Sequence, residues 1–355
     1  MDHRVYNFAA GPSGLPLPVL EEIQRDLFNW NGMGASVMEI SHRSKQFTAL
    51  VEETIAMIRE LYHFGDDYEV LFMQGGGHGQ FAMVPLNLAG DGEGAYIVNG
   101  IWSKKAFKEA EKLTGAKVAC TAEKRAPKPS EINAEGASYL YYCSNETVNG
   151  IQFGYVPETE AVLACDMSSD FMSRPVDVSR YGLIFAGAQK NFGPAGLTIG
   201  IVRKDLIGRA KGTTPTMMDY STYAGNLSMF NTPPTFAIYV ANLVSHWLLK
   251  EGGVEEMERR SIIKSSAIYN TVDSSEGFYY NDVEVESRSR MNVVFNLRDK
   301  SLEEVFLREA TAENLMYLKG HRLLGGMRAS LYNAVSIEAC EKLADFMRRF
   351  AERHS

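Results

Sequence analysis

Between residues 17 and 250, short apolar runs alternate with stretches whose apolar positions recur at helical spacing. The runs at residues 69–73, 94–98, 116–120, 138–143, 161–166, 183–186 and 197–203 read as strands. The periodic stretches at 46–61, 79–87, 103–113 and 236–250 read as helices. Strands alternating with helices predict parallel β–α–β units, that is, an α/β sheet covered on both faces. Near residue 255 the pattern changes. A charged helix at 253–275 precedes strand-like Val283 and Val285, a strand at 291–297, and helices at 302–311 and 336–354. That order predicts a smaller α+β unit at the end of the chain. No internal repeat or low-complexity tract interrupts the pattern, and only KRAPKPS at 124–130 reads as a Pro- and Lys-rich surface connection.

A chain of 355 residues suggests two domains and long enough cores to need neither disulfides nor a metal staple. The formal charge of −8 argues against non-specific nucleic-acid binding, although it leaves room for a local pocket of arginines. Cys120, Cys143, Cys165 and Cys340 are scattered, with no zinc-ligand spacing, as a reducing compartment allows. His3, His63, His246 and His354 show no metal-ligand spacing either, so no metal is expected. The N-terminus lacks a basic then apolar leader, and the apolar stretch at 236–249 is interrupted and too short to span a bilayer. A soluble cytoplasmic location without membrane contact is the expectation.

Candidate chemistry collects where strands end. Lys190 follows the apolar run LIFAGAQ, in a Gly/Pro-rich loop between two hydrophobic segments. Dehydration by such neighbours favours the neutral amine, which condenses with aldehydes. Asp166 ends AVLACD, where ligand contacts gather in open α/β sheets; capping the next segment is the alternative. Together they match pyridoxal 5′-phosphate, whose aldehyde needs a lysine and whose ring nitrogen needs a carboxylate. QGGGHGQ at 74–80 links a strand to a helix and can cradle a phosphate, or serve simply as a turn. Without G-K-[ST] it is no nucleoside-triphosphate loop. Trp102 can stack on a ring or pack in the core; Thr147, Asn231 and Thr232 sit in Gly/Pro-rich turns. His42, Arg43, His321, Arg322 and Arg328 lie beside Gly-rich turns and suit a dianionic or phosphorylated substrate, if they are more than surface charges.

The chain resembles the phosphoserine aminotransferases, a branch of the class-V, fold-type I PLP-dependent aminotransferases. The resemblance runs nearly end to end: NFAAGPSGLP, SVMEISHRSKQF, QGGGHGQFAMVPLNL, SNETVNGIQF, AQKNFGPAG, NTPPTFAIY and GHRLLGGMRASLYNA. It implies a large α/β domain, residues 1–255, with a mainly parallel seven-stranded sheet, and a small C-terminal α+β domain, residues 256–355. The N-terminal segment 1–16 would pack on the small domain. The implied reaction converts 3-phosphohydroxypyruvate and glutamate to phosphoserine and 2-oxoglutarate by ping-pong chemistry in serine biosynthesis. Many bacterial members also act on a related phosphorylated oxo acid in pyridoxine synthesis.

Carried over by motif, Lys190 would form the internal aldimine and shuttle the proton, and Asp166 would pair with the pyridine nitrogen. Trp102 would stack on the ring, while Thr147, Gln189 and the backbone at Gly77 and His78 would hold its oxygen or phosphate. Asn231 and Thr232 would reach the phosphate from the other subunit of a homodimer. Arg328 would hold the substrate α-carboxylate, and His42, Arg43, His321 and Arg322 would clamp its distal anion. Many relatives carry Arg where this chain has His78, so a weaker, pH-dependent clamp is expected. Alanine–glyoxylate transamination would have no use for the two His-Arg pairs. Cysteine desulfuration would need a cysteine in a mobile loop, and a non-catalytic phosphate binder would leave Lys190 and Asp166 without purpose.

Overall fold

The computed structural model describes residues 4–354. Of the N-terminal segment 1–16, residues 1–3 and hence His3 lie outside the described residues. The chain begins with β1 (Tyr6–Asn7), α1 (Leu17–Asp26) and α2 (Lys45–Tyr62). Then come β2 (Tyr68–Met73), α3 (Gly76–Leu88), β3 (Gly94–Val98), α4 (Ile101–Leu113), β4 (Ala116–Thr121) and β5 (Tyr139–Cys143). A two-stranded hairpin, β6 (Asn145–Glu146) and β7 (Ile151–Gln152), leads into β8 (Val162–Asp166), β9 (Leu183–Gly187) and β10 (Thr198–Arg203). α5 (Tyr220–Ala224) and α6 (Thr235–Lys250) complete this part.

Seven strands form one sheet in the order β2-β10-β9-β8-β5-β3-β4. It is mainly parallel, as the alternation of strands and helices implied. The exception is β10, antiparallel to both β9 and β2. No helix separates β9 from β10, and without a crossover two neighbouring strands can pair only antiparallel. Successive side chains of the central strands point to opposite faces, and both faces are buried. Leu163, Cys165, Ile184 and Ala186 face a core shared with α2 and α6; Ala164, Leu183 and Phe185 face another shared with α3 and α5. The same parity turns Asp166 toward the α3 side.

α7 (Gly253–Asp273) joins this unit to the rest. Val254 and Met257 pack into the α2–α6 core, whereas Ile268, Tyr269 and Val272 belong to a third core. That core holds β11 (Tyr279–Tyr280), β12 (Asn292–Leu297), α8 (Glu303–Ala312), β13 (Leu315–Met316), β14 (Met327–Ser330) and α9 (Ile337–His354). Edge-to-face contacts of Phe306 with Phe295, Phe346 and Phe350 fill its centre. β1 pairs in parallel with β13, and Phe8 is fully buried in this third core.

Two local expectations are corrected. Val283 and Val285 are not strand: the Asn281 side chain accepts from Val283 N at 2.7 Å and closes a turn, and Val285–Ser287 is a 3-10 turn. The helix expected at 79–87 starts at Gly76 instead, because Gly75 and Gly76 take positive φ and bend β2 into α3 sooner. Among the described residues no helix is long and apolar enough to cross a membrane.

Candidate active site

Asp166 and Lys190 leave adjacent parallel strands, so both emerge at the same end of the sheet. Beyond β9, Phe192 N and Gly193 N both donate to Ala188 O, at 3.0 and 2.8 Å. This tight turn holds Lys190 at its crest. Its Nζ donates to Thr147 Oγ1 at 2.7 Å. Burial pulls the Lys190 ammonium down to about 8, against the upward pull of the Asp166 carboxylate. Ser13 locks the segment from the N-terminal side: its N donates to Gln189 O at 2.9 Å and its hydroxyl to Lys190 O.

The Asp166 side chain is buried, and its Oδ1 accepts from Ser168 N at 2.8 Å. Burial pushes its carboxyl above the usual range; the Ser168 hydrogen bonds and the nearby Lys190 pull the other way. Ser168 in turn accepts from Gly187 N at 3.0 Å, which ties the end of β9 to the carboxylate.

These groups line one cleft of about 230 Å³, with Gly77, His78, Trp102, Thr147, Gln189, His321 and Arg328 around it. The N-terminus of α3 opens at Gly76, Gly77 and His78, so its free N–H groups face an anion-sized space. Gly76 N is already spent on Thr198 Oγ1, at 2.8 Å. Trp102 lies in the first turn of α4, with the His78 imidazole edge-on at 5.6 Å and Lys190 Nζ 5.7 Å from its ring centre. Arg328, on β14, reaches in from the other unit, its charge disfavoured by burial. His321 is held below its ordinary range by burial and by Arg328, Arg322 and Lys105.

Five expected site residues stand outside this cleft. Arg322 is exposed beside His321. His42 and Arg43 lie in the turn before α2, where His42 Nε2 is buried without a partner. Asn231 and Thr232 are exposed just ahead of α6. Within one chain none of His42, Arg43, Asn231 and Thr232 lines the cleft that holds Lys190. Sequence reasoning in turn missed Asn145, Ser168, Ser169 and Glu146. The signal was adjacency: each stands within three residues of Thr147 or Asp166.

A family model described as aminotransferase class-V matches residues 5–343. The chain belongs to the class-V aminotransferase family. It is 52% identical to the phosphoserine aminotransferase of Laribacter hongkongensis, over 99% of each chain. Its structure is similar to that of phosphoserine aminotransferase from Bacillus circulans subsp. alkalophilus, with a TM-score of 0.97 and 44% identity over 99% of both chains. A PLP-bound phosphoserine aminotransferase from Trichomonas vaginalis superimposes with a TM-score of 0.93 and 38% identity, covering 97% of this chain and all of the other. The fold is therefore that of the fold-type I aminotransferases, and the chain is an enzyme of that kind. An aldehyde-reactive lysine beside a buried carboxylate is what such an enzyme requires.

Proposed function

We propose that this enzyme interconverts 3-phosphohydroxypyruvate and L-glutamate with O-phospho-L-serine and 2-oxoglutarate, using pyridoxal 5′-phosphate. The observation that carries the reading is the convergence of Lys190, Asp166 and Trp102 on one cleft at the α3 N-terminus. The donor set fits the cofactor at each position. Lys190 would hold the aldehyde carbon, Asp166 the ring nitrogen and Thr147 the ring oxygen. Trp102 would cover the ring face, and Gln189 with the backbone of Gly77 and His78 would take the phosphate. When bound, the cofactor supplies an electron sink for the substrate's α-carbon.

The residues do the rest. An amine drawn to about 8 is neutral in a useful fraction near neutrality, so Lys190 Nζ can take and return the α-proton. Asp166, shielded from water, keeps a proton on the ring nitrogen. Arg328 forks the α-carboxylate. His78, His321 and Arg322, with His42 and Arg43, form the clamp for the distal group, which must accept both a phosphate and a γ-carboxylate. One site serving both half-reactions gives ping-pong kinetics, and the same clamp suits a related phosphorylated oxo acid of pyridoxine synthesis.

Asn231, Thr232, His42 and Arg43 would reach the cleft from a second copy, and on that ground we read the enzyme as a homodimer. Phe28, Met38 and Phe230, exposed on the same segments, support that reading. We also divide the chain into domains at 255/256 and place the enzyme in the cytoplasm.

The test is a half-reaction on the purified protein. Phosphoserine should bleach the visible absorption of the bound cofactor, and alanine should not. Lys190→Ala should abolish that absorption. Bleaching by alanine alone would favour a simpler transaminase, and failure to take up the cofactor at all would leave only a phosphate binder. For the dimer, mixing Lys190→Ala with an Asn231→Ala/Thr232→Ala variant should restore part of the activity that neither has alone.

A further inference from the structure

Glu146 is fully buried, yet none of the roles above uses it. Its carboxylate sits at the N-terminus of α4. Oε2 accepts from Trp102 N at 3.0 Å, and Oε1 accepts from Ser103 N and Ser103 Oγ, each at 2.7 Å. These donors include helix N–H groups that have no partner inside the helix, and a negative charge is favoured there by the helix dipole. Room for the carboxylate exists only because residue 100 is glycine: a Cβ there would fall on the Glu146 carboxyl. A buried acid is costly unless it is fully hydrogen-bonded, and here it is. Burial pushes the carboxyl upward while Ser103 and Trp102 pull it down.

The neighbour in sequence points the other way. Thr147 accepts from Lys190, while Glu146 grips the backbone of Trp102. Two consecutive residues of one hairpin therefore hold two walls of the cleft. The Trp102 ring has no hydrogen bond of its own to hold it, since its Nε1 is buried without a partner. Beyond ring contacts with His78, Lys105 and Lys190, the anchored backbone sets where the ring lies.

We propose that Glu146 is a positioning residue, which fixes the start of α4 so that the Trp102 ring lies where it covers the cofactor. This rests on the reading that pyridoxal phosphate occupies the cleft.

The experiment titrates cofactor-free full-length protein with pyridoxal 5′-phosphate, reading tryptophan fluorescence and the circular dichroism of the bound ring. The other tryptophans, Trp30 and Trp247, give the background. Four proteins are compared: parent, Glu146→Gln, Trp102→Phe and the double variant. Glu146→Gln is expected to weaken cofactor affinity about tenfold or more, to lower the quench at saturation, and to change the dichroic signal. Because both act through one ring, the double variant should lose little beyond Trp102→Phe.

Parental quench and affinity in Glu146→Gln would overturn the proposal. So would losses that multiply in the double variant, or a lower melting temperature with the quench at saturation unchanged. If Glu146→Gln does not fold, Ser103→Ala, which removes one donor to the same carboxylate, should give a smaller loss in the same direction; no loss there would also overturn it. A parent that takes up no cofactor would instead sink the functional reading itself.

Discussion

Lys190 Nζ and Thr147 Oγ1 are joined by a 2.7 Å hydrogen bond, although 43 residues separate them in the chain. Thr147 is buried, and its hydroxyl is the acceptor the fold provides for the amine. Thr147→Val keeps the shape and removes that acceptor. The rate of the phosphoserine half-reaction, measured in single turnovers, should fall about tenfold, equivalent to ~1.4 kcal/mol. A parental rate would show that this bond does not orient the amine.

The acidity of Lys190 gives a prediction with a definite sign. Its folded value, about 8, is below the ordinary lysine value because burial disfavours the ammonium. The reactive neutral amine therefore accumulates as pH rises through about 8. In cofactor-free protein, reductive methylation by formaldehyde with cyanoborohydride as the hydride donor, read at Lys190 by peptide mass spectrometry, should climb through that range and then level off. Asp166 opposes the shift, so Asp166→Asn should move the midpoint to lower pH. A midpoint in the normal lysine range, or one indifferent to Asp166→Asn, would contradict this account.

His78 stands exposed at the mouth of the cleft, where an arginine would carry a permanent charge. A guanidinium forks a phosphate or carboxylate with two hydrogen bonds, which a single ring nitrogen cannot do. His78→Arg should accordingly lower KM for the phosphorylated substrate, measured in steady-state kinetics at fixed pH. An unchanged KM in the variant removes residue 78 from the clamp.

Lys264 is 1% exposed on α7, and its Nζ donates to Leu331 O, Tyr332 O and Val335 O at 2.9, 2.8 and 3.0 Å. The Tyr332 hydroxyl donates to Ala10 O at 2.9 Å, so this lysine underpins the junction of the N-terminal segment with the third core. Lys264→Met removes three charge-assisted bonds; Tyr332 O keeps Val335 N as a donor at 2.9 Å, while Leu331 O and Val335 O lose theirs. Stability in denaturant unfolding should drop by about 3 kcal/mol. A loss below about 1 kcal/mol would mean that water reaches those carbonyls.

The strands of the large sheet were legible because each is a short apolar run bounded by turns, most of them buried on both faces; the edge strand β4 is the half-exposed exception. The strand-end positions of Asp166 and Lys190 followed from the same runs. The antiparallel direction of β10 was signalled only by the missing helix before it. The displaced start of α3 was not legible: a glycine in a turn and one at a helix start look alike until φ is known. Glu146 escaped for another reason. An acid in a Gly- and Asn-rich loop ordinarily faces water, and only the arrival of α4 above it creates the three donors that hold it inside.

Although it did not determine the turns at Val283 and Val285 or the start of α3, the amino-acid order by itself determined most strands and helices of the large sheet, and which residue types stand at their ends. Those depend on periodicity and turn chemistry, which act over a few residues. The tertiary structure alone decided that Lys190 meets Thr147, that Arg328 crosses from β14 into the cleft, and that His42, Arg43, Asn231 and Thr232 stay outside it in a single chain. Exclusion of water around Lys190 and Asp166 arises from the packing of distant segments, and no local pattern encodes it.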